Sequence, residues 1–245
     1  MLTADDLRIQ RGQRVLVDQL SLEFVGGQIY ALLGPNGVGK TTLLLTLAGV
    51  LAPAAGAVWL RSEPLAKIPL ARRAQHIGVL PQRDEIAFGG NVYEFVALGG
   101  FPQRGVSPAA IDAALARLGL NELAQRPLAS LSGGEYQRAQ IALLMIQHTQ
   151  VILLDEPLRN LDLRYQKIVL EWLRGRAADG ALVIAAMHEL DWVGRFCDQV
   201  CLLYDDDNPH CGPLREMFTR RNLERLMHCS FIETAILDRI VLVPA

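Results

Sequence analysis

The sequence predicts an α/β chain on three observations. Short apolar runs of strand length alternate with helical stretches, several of those runs are unbroken, and a glycine-rich turn joins one of them to a helix. The strand-like runs lie at 28–33, 58–60, 77–80, 151–154, 182–186 and 200–204. Those at 28–33, 151–154 and 182–186 are continuous rather than alternating, the pattern of parallel strands buried on both faces. Helices are expected to open at Lys40, Pro108, Gly133, Asp162 and Glu189; Ser107 before Pro108 is a cap followed by proline at the first helical position. Strands separated by helices imply a mostly parallel sheet. The opening, 7–24, reads differently, as short alternating strands around Arg11-Gly12-Gln13-Arg14, an N-terminal antiparallel β subdomain. From about 90 to 147 the pattern is helical and predicts an inserted helical subdomain. From Cys211 onward a small appendix turns from helical to extended and ends at 240–243.

Composition removes several functional classes. The chain has 245 residues, 51% of them hydrophobic, and a mean hydropathy of +0.20. No apolar run approaches the ~18–20 residues that cross a bilayer; the stretch at 181–187 is a buried strand instead. No basic start with a following apolar stretch marks a signal peptide. The 24 basic residues nearly balance 26 acidic ones, so the positive face that binds a phosphate backbone is missing and nucleic acid is not an expected partner. Cys197, Cys201, Cys211 and Cys229 all fall late, with His210 and His228 beside two of them. Their C-x3-C-x9-C-x17-C spacing matches no zinc pattern. Cys197 and Cys201 share a face if that stretch is helical, and free buried thiols in a reducing compartment are expected.

Gly34-Pro35-Asn36-Gly37-Val38-Gly39-Lys40-Thr41 satisfies G-x-x-x-x-G-K-[ST] between a strand and a helix, the context that gives the pattern its meaning. Glycines let backbone N–H groups wrap phosphate oxygens, and the helix start adds its positive dipole end. Lys40 is expected to reach the outer phosphates, the Thr41 hydroxyl to ligate magnesium, and Thr42 to complete the loop. The fold is therefore expected to be a P-loop NTPase core that binds a nucleoside triphosphate with Mg2+. The strand at 151–154 runs into Asp155 and Glu156. Asp155 is suited to hold the magnesium through water, and Glu156 to polarise the attacking water, help that is worth ~10²–10⁴ in rate.

Leu131-Ser132-Gly133-Gly134-Glu135, followed by Tyr136-Gln137-Arg138, resembles the signature of ABC-type ATPases, and the resemblance extends over nearly the whole chain. It implies that Ser132, Gly133, Gly134 and Glu135 open a second anion-binding helix start that closes over the ATP of another subunit in a head-to-tail homodimer. It also implies that Gln82 senses magnesium and the nucleophilic water, that Asp162 belongs to a loop crossing the dimer interface, and that His188 is the switch histidine on the γ-phosphate. Three positions depart from the family. Arg11 stands before Gly12 where an aromatic ring usually stacks on adenine, and a guanidinium can stack on a base in its place. Arg159-Asn160 replaces small hydroxyl residues before Leu161-Asp162, and Glu189 replaces an aspartate after His188.

Two further stretches are similar to the bacterial importer subfamily serving iron–siderophore, haem and cobalamin uptake: Asn91-Val92-Tyr93-Glu94-Phe95-Val96-Ala97-Leu98-Gly99 with the residues from Ala87 before it, and the segment 217–226. The resemblance implies one nucleotide-binding domain, with a catalytic core at about 1–88 and 148–210, a helical subdomain at about 89–147 and an appendix at about 211–245. It implies a peripheral subunit on the cytoplasmic face of the membrane, coupled to integral-membrane permease subunits and indirectly to a substrate-binding protein. The alternative is a soluble ABC ATPase without a permease, in metal-cluster assembly or regulation, favoured only by the late Cys–His pairs.

Overall fold

The structure, a computed structural model, describes residues 1–82, 88–206, 208–236 and 239–245, and of 233–236 and 239–244 the backbone only. Ala87, the start of one importer-like stretch, lies outside the described residues.

The chain opens with two long strands, β1 (Leu2–Arg11) and β2 (Arg14–Phe24), then β3 (Ile29–Leu33) and helix α1 (Lys40–Leu47). β4 (Ala55–Leu60), β5 (Glu63–Pro64), α2 (Leu70–His76) and β6 (Ile77–Leu80) follow. Three helices come next: α3 (Val92–Ala97), α4 (Pro108–Arg117) and α5 (Gly133–Gln147). The core resumes with β7 (Val151–Asp155), α6 (Leu163–Ala178), β8 (Leu182–Ala186), α7 (Leu190–Phe196) and β9 (Gln199–Leu202). The chain closes with β10 (His210–Pro213), α8 (Leu214–Met217), α9 (Arg220–Met227) and the hairpin β11 (Phe231–Ile236) and β12 (Arg239–Pro244).

The mixed sheet has the order β10-β9-β3-β8-β7-β6, with β9 to β6 parallel and β10 antiparallel at the edge. Every residue of β3, β7 and β8 is buried, which is why these three runs carry no polar alternation. Their side chains divide between two cores. Ala31, Leu33, Ile152, Leu154, Val183 and Ala185 face the helices. Leu32, Leu153, Leu182, Ile184 and Ala186 face the antiparallel sheet β2-β1-β4-β5 across α1. That second sheet differs from the short strands expected at 7–24: β1 and β2 run ten and eleven residues. Register shifts between Ala4 and Leu7 and between Leu7 and Gln10 break the alternation that would have revealed their length.

Helix starts follow local chemistry. Ser107 caps α4, accepting from the Ala110 N–H, with Pro108 in the first turn. Asn91 and Glu94 form a reciprocal capping box on α3 (2.8 and 2.9 Å). Asp162 and Glu189 are the residues before α6 and α7 rather than their first turns.

The cysteines depart from expectation. Cys197 ends α7 and Cys201 lies in β9, so they share no helical face. Cys201 stands directly opposite Cys211 in the β9–β10 ladder and is joined to it as a disulfide, because the chain reverses after β9 and brings the two Cβ atoms to one face. Cys197 is a free buried thiol as expected, and Cys229 is free and exposed. Burial, reinforced by the Asp198 carboxylate, pushes the Cys197 thiol up to about 12. Asp198 also closes the core, its Oδ2 accepting from the Ile29 N–H (2.8 Å) and its Oδ1 from Arg174 (2.9 Å). Only thiolate reacts with alkylating reagents. Iodoacetamide at pH 8 should therefore modify Cys229 in the folded chain and spare Cys197. Comparable peptide labelling at both residues, read by mass spectrometry, would contradict this placement.

Candidate nucleotide-hydrolysis site

Each of four neighbouring parallel strands delivers one polar station at its C-terminal end. β3 leads into the loop 34–39, β8 leads to His188, β7 ends on Asp155 with Glu156 next, and β6 leads to Gln82. The order β3-β8-β7-β6 therefore sets these groups side by side along one edge, where ligands bind in open α/β sheets. They line a cavity of about 820 Å³ together with Arg11, Arg14, Leu16, Asn36, Gly37, Gly39, Lys40, Thr41, Thr42 and Arg159.

The loop is built to turn tightly and to offer donors. Gly39, at φ +119, precedes α1 in a conformation only glycine adopts freely, and a Cβ there would stand 3.0 Å from that of Leu16. Lys40 is buried, and its Nζ donates to the Gly34 (2.7 Å) and Pro35 (3.0 Å) carbonyls. Burial lowers its pKa, opposed by the Asp155 and Glu156 carboxylates. Val38 is buried and anchors the loop to the core rather than facing the cavity.

Asp155 is buried and accepts a short hydrogen bond from the Thr41 hydroxyl (2.5 Å). Burial raises its pKa, against the lowering effect of that bond. A hydroxyl and a carboxylate oxygen side by side at the mouth of a phosphate loop fit magnesium, which takes a few hard oxygen ligands and completes its shell with substrate phosphates and water. Glu156, at φ +51, turns its carboxylate from the strand end into the cavity. Its Oε1 accepts from Gln82 Nε2 (2.6 Å) and lies 3.2 Å from His188 Nε2; its Oε2 accepts from Arg159 (3.2 Å). Gln82, Glu156 and His188, separate in sequence, thus form one hydrogen-bonded group.

Ser132, Gly133, Gly134 and Glu135 stand outside this cavity, as does Asp162. Ser132 and Glu135 form a capping box, Ser132 N–H to Glu135 Oε2 at 2.8 Å and Glu135 N–H to Ser132 Oγ at 3.4 Å. The backbone bond from Ser132 holds the Glu135 carboxyl below its ordinary value. Asp162 caps α6, accepting from the Tyr165 N–H at 3.0 Å. The signature nevertheless touches the turn that carries Glu156. Gln137, buried on α5, donates to the Pro157 carbonyl (3.2 Å), and the Asn160 carbonyl lies 2.7 Å from where a Gly134 Cβ would be. Gln137, Arg14 and the Arg159–Glu156 pair were not legible as site features. Only the proximity of Gln137 and Arg159 to recognised motifs could have drawn attention to them.

A phosphate loop, a strand-end carboxylate pair and a separate glycine-opened helix define an ATP-hydrolysing P-loop protein. The ABC transporter family model matches residues 17–159, and the chain belongs to that family. It is 36% identical over 237 residues to the hemin import ATP-binding protein HmuV of Bordetella avium (strain 197N), covering 92% of this chain and 91% of the relative. A solved metal-chelate type ABC transporter in an inward-facing conformation superposes with a TM-score of 0.80 at 28% identity, over 100% of this chain and 97% of that one. A dimeric ATP-binding cassette in a post-hydrolysis state, bound to ADP and Pi, shares the fold, with a TM-score of 0.79 at 23% identity over 88% of this chain and 99% of that one. Like the family, the chain is an ATPase.

Replacing Glu156 by Gln should lower ATP turnover by about 10²–10⁴ while ATP binding persists. Turnover near the wild-type rate, measured as phosphate release, would contradict Glu156 as the base.

Proposed function

We propose that the chain powers import of haem or a related metal–chelate, as a head-to-tail pair of copies beneath an integral-membrane permease. The observation that carries this reading is the division of its polar groups between the cavity and a separate helix start. Lys40, Thr41, Asp155, Glu156, His188 and Gln82 border one cavity, while the Ser132–Glu135 helix start stands outside it, free to close the cavity of a second copy. The dimeric form of the related cassette bound to ADP and Pi supports the pairing, and the hemin importer and metal-chelate transporter relatives support the cargo class. On this reading the core comprises about 1–88 and 148–210, the helical lobe about 89–147, and the appendix about 211–245.

In the closed pair, loop N–H groups from 36 to 42 and Lys40 hold the β- and γ-phosphates. Ser132 and the glycines beside it, from the partner copy, complete the shell on the far side. Thr41, with Asp155 through water, would hold magnesium, which when bound would supply positive charge to the phosphate oxygens. Glu156 takes a proton from the attacking water as its oxygen bonds to the γ-phosphorus and the bond to ADP breaks. Gln82 and His188 fix the Glu156 carboxylate, and His188 also faces the γ-phosphate. Loss of that phosphate removes the group that both copies grip, so the pair reopens.

Coupling has its own surface. α2 and the segment 97–105 border an apolar groove of about 970 Å³ in which Leu70 and Phe101 are 73% and 83% exposed. Exposed apolar side chains gathered in one groove mark a binding surface, and the proposed occupant is a cytoplasmic helix of the permease. This places the chain peripherally on the cytoplasmic face of the membrane, with any substrate-binding protein on the opposite side. Among the described residues no helix is long and apolar enough to cross a membrane. Of the late Cys–His pairs that favoured a permease-free ATPase, His210–Cys211 loses that meaning, since Cys211 is bonded to Cys201, and Cys229 of the other pair is free.

Phe101→Asp should abolish cargo uptake in proteoliposomes carrying the full transporter while the isolated subunit keeps its basal ATPase rate. Uptake at the wild-type level would place the permease contact elsewhere.

A further inference from the structure

Two residues of the turn after β7 stand in the left-handed region without being glycine, Glu156 at φ +51 and Asn160 at φ +59. Such positions are unfavourable for a residue with a Cβ and persist only where the surroundings hold them. Two glutamines do the holding. Gln137, from α5, donates to the Glu156 (3.4 Å) and Pro157 (3.2 Å) carbonyls. Gln166, the fourth residue of α6, donates further along the turn, to the Leu158 (3.4 Å) and Leu161 (3.2 Å) carbonyls. Neither side chain lines the nucleotide cavity.

Gln166 makes a third bond, its Oε1 accepting from the Trp192 indole N–H at 2.9 Å. An indole N–H can only donate, so it fixes which end of the amide faces it and turns the Nε2 donors toward the carbonyls. Trp192 belongs to α7, which starts two residues after His188. That helix is weak on its own: seven residues long, with Gly194 inside it and no side-chain cap from Glu189. Its position is therefore set by tertiary contacts. Val193 is buried in the core, Arg174 donates to the Phe196 carbonyl at the far end, and Trp192 ties the end nearest His188 to Gln166.

We propose that Gln166, oriented by Trp192, is a positioning residue for ATP hydrolysis. Its amide clasps the turn that carries Glu156 to the helix that follows His188, and so keeps Glu156 Oε1 and His188 Nε2 at their 3.2 Å contact. That contact is partly open to water and holds little by itself; the clasp behind it fixes the separation of the two backbones. The loop at 34–41 is built from the end of β3 and the start of α1, so nucleotide binding does not depend on the clasp, whereas the placement of Glu156 does. This rests on the reading of Glu156 as the base and His188 as its neighbour.

The test is steady-state MgATP hydrolysis by the full chain in wild type, Gln166→Leu, Trp192→Phe and the double variant. Trp192→Phe keeps an aromatic ring and removes the N–H, so it carries the test even where Gln166→Leu disturbs folding. In Gln166→Leu, kcat should fall by about tenfold to a hundredfold, the scale of a small misplacement at a reacting centre, with KM unchanged. Trp192→Phe should lower kcat by a smaller factor, because the amide is freed rather than removed. The double variant should fall no further than Gln166→Leu, since the two side chains act as one unit. An unchanged kcat in either single variant, a change confined to KM, or losses that multiply in the double variant overturns the proposal. Glu156→Gln, measured alongside, separates the two readings. If it is inactive while the Gln166 and Trp192 variants match wild type, this inference alone falls. If Glu156→Gln keeps wild-type turnover, the base assignment beneath it falls as well.

Discussion

A sheet covered on both faces has nowhere to put a polar side chain except at its ends, and this constraint shapes the molecule. β3, β7 and β8 spend their backbone donors and acceptors on ladder bonds and their side chains on two apolar cores. Parallel strands all end at the same edge. The loop after β3, the carboxylates after β7, His188 after β8 and Gln82 after β6 therefore gather without any of them being neighbours in sequence. Burial up to that edge also explains the electrostatics. Lys40 and Asp155 sit where water is scarce, so each is shifted toward its neutral form unless an opposite charge arrives. On the proposed reading, a magnesium–nucleotide complex would supply both charges at once.

The signature helix α5 is not a separate appendage, because Gln137 grips the turn after β7 and Gly134 lies against Asn160. The same turn carries Glu156 and Arg159, joined at 3.2 Å. On the proposed reading, movement of α5 when a second copy's nucleotide binds at Ser132 reaches the Glu156 carboxylate through this turn. On the proposed reading, the groove holding Leu70 and Phe101 connects the same lobe to the membrane, so one rigid unit links permease and catalytic turn.

What could be read in advance follows how local each signal is. The phosphate loop is legible because its residues are consecutive and its flanks specify strand and helix. Asp155 and Glu156 are legible because they end an unbroken apolar run, and the caps Ser107 and Ser132 because capping is a short-range bond. Contacts that depend on how elements pack were invisible. The pairing of Arg11 with Arg14 needs the hairpin register, the Gln137 bond needs the direction of α5, and the Arg159–Glu156 pair needs the positive-φ turn after β7. The cysteine pair was hidden for the same reason: the run at 200–204 is legible as a strand, but Cys201 meets Cys211 only because β10 folds back on β9. Strand lengths in the first sheet were underestimated because bulges shift the alternation that marks a strand.

On the proposed reading each site is assembled from two copies, the phosphate loop of one and the signature of the other. Mixing two inactive variants tests it most directly. Lys40→Ala disables a subunit's own loop and Ser132→Arg blocks the signature it lends. In a mixed pair both defects fall in one site, and the other site is intact. Two variants inactive alone should recover ATP hydrolysis when combined, toward about half the wild-type rate per mixed pair. No recovery in mixtures shown to form mixed pairs would mean that loop and signature act within one copy, and would contradict the account.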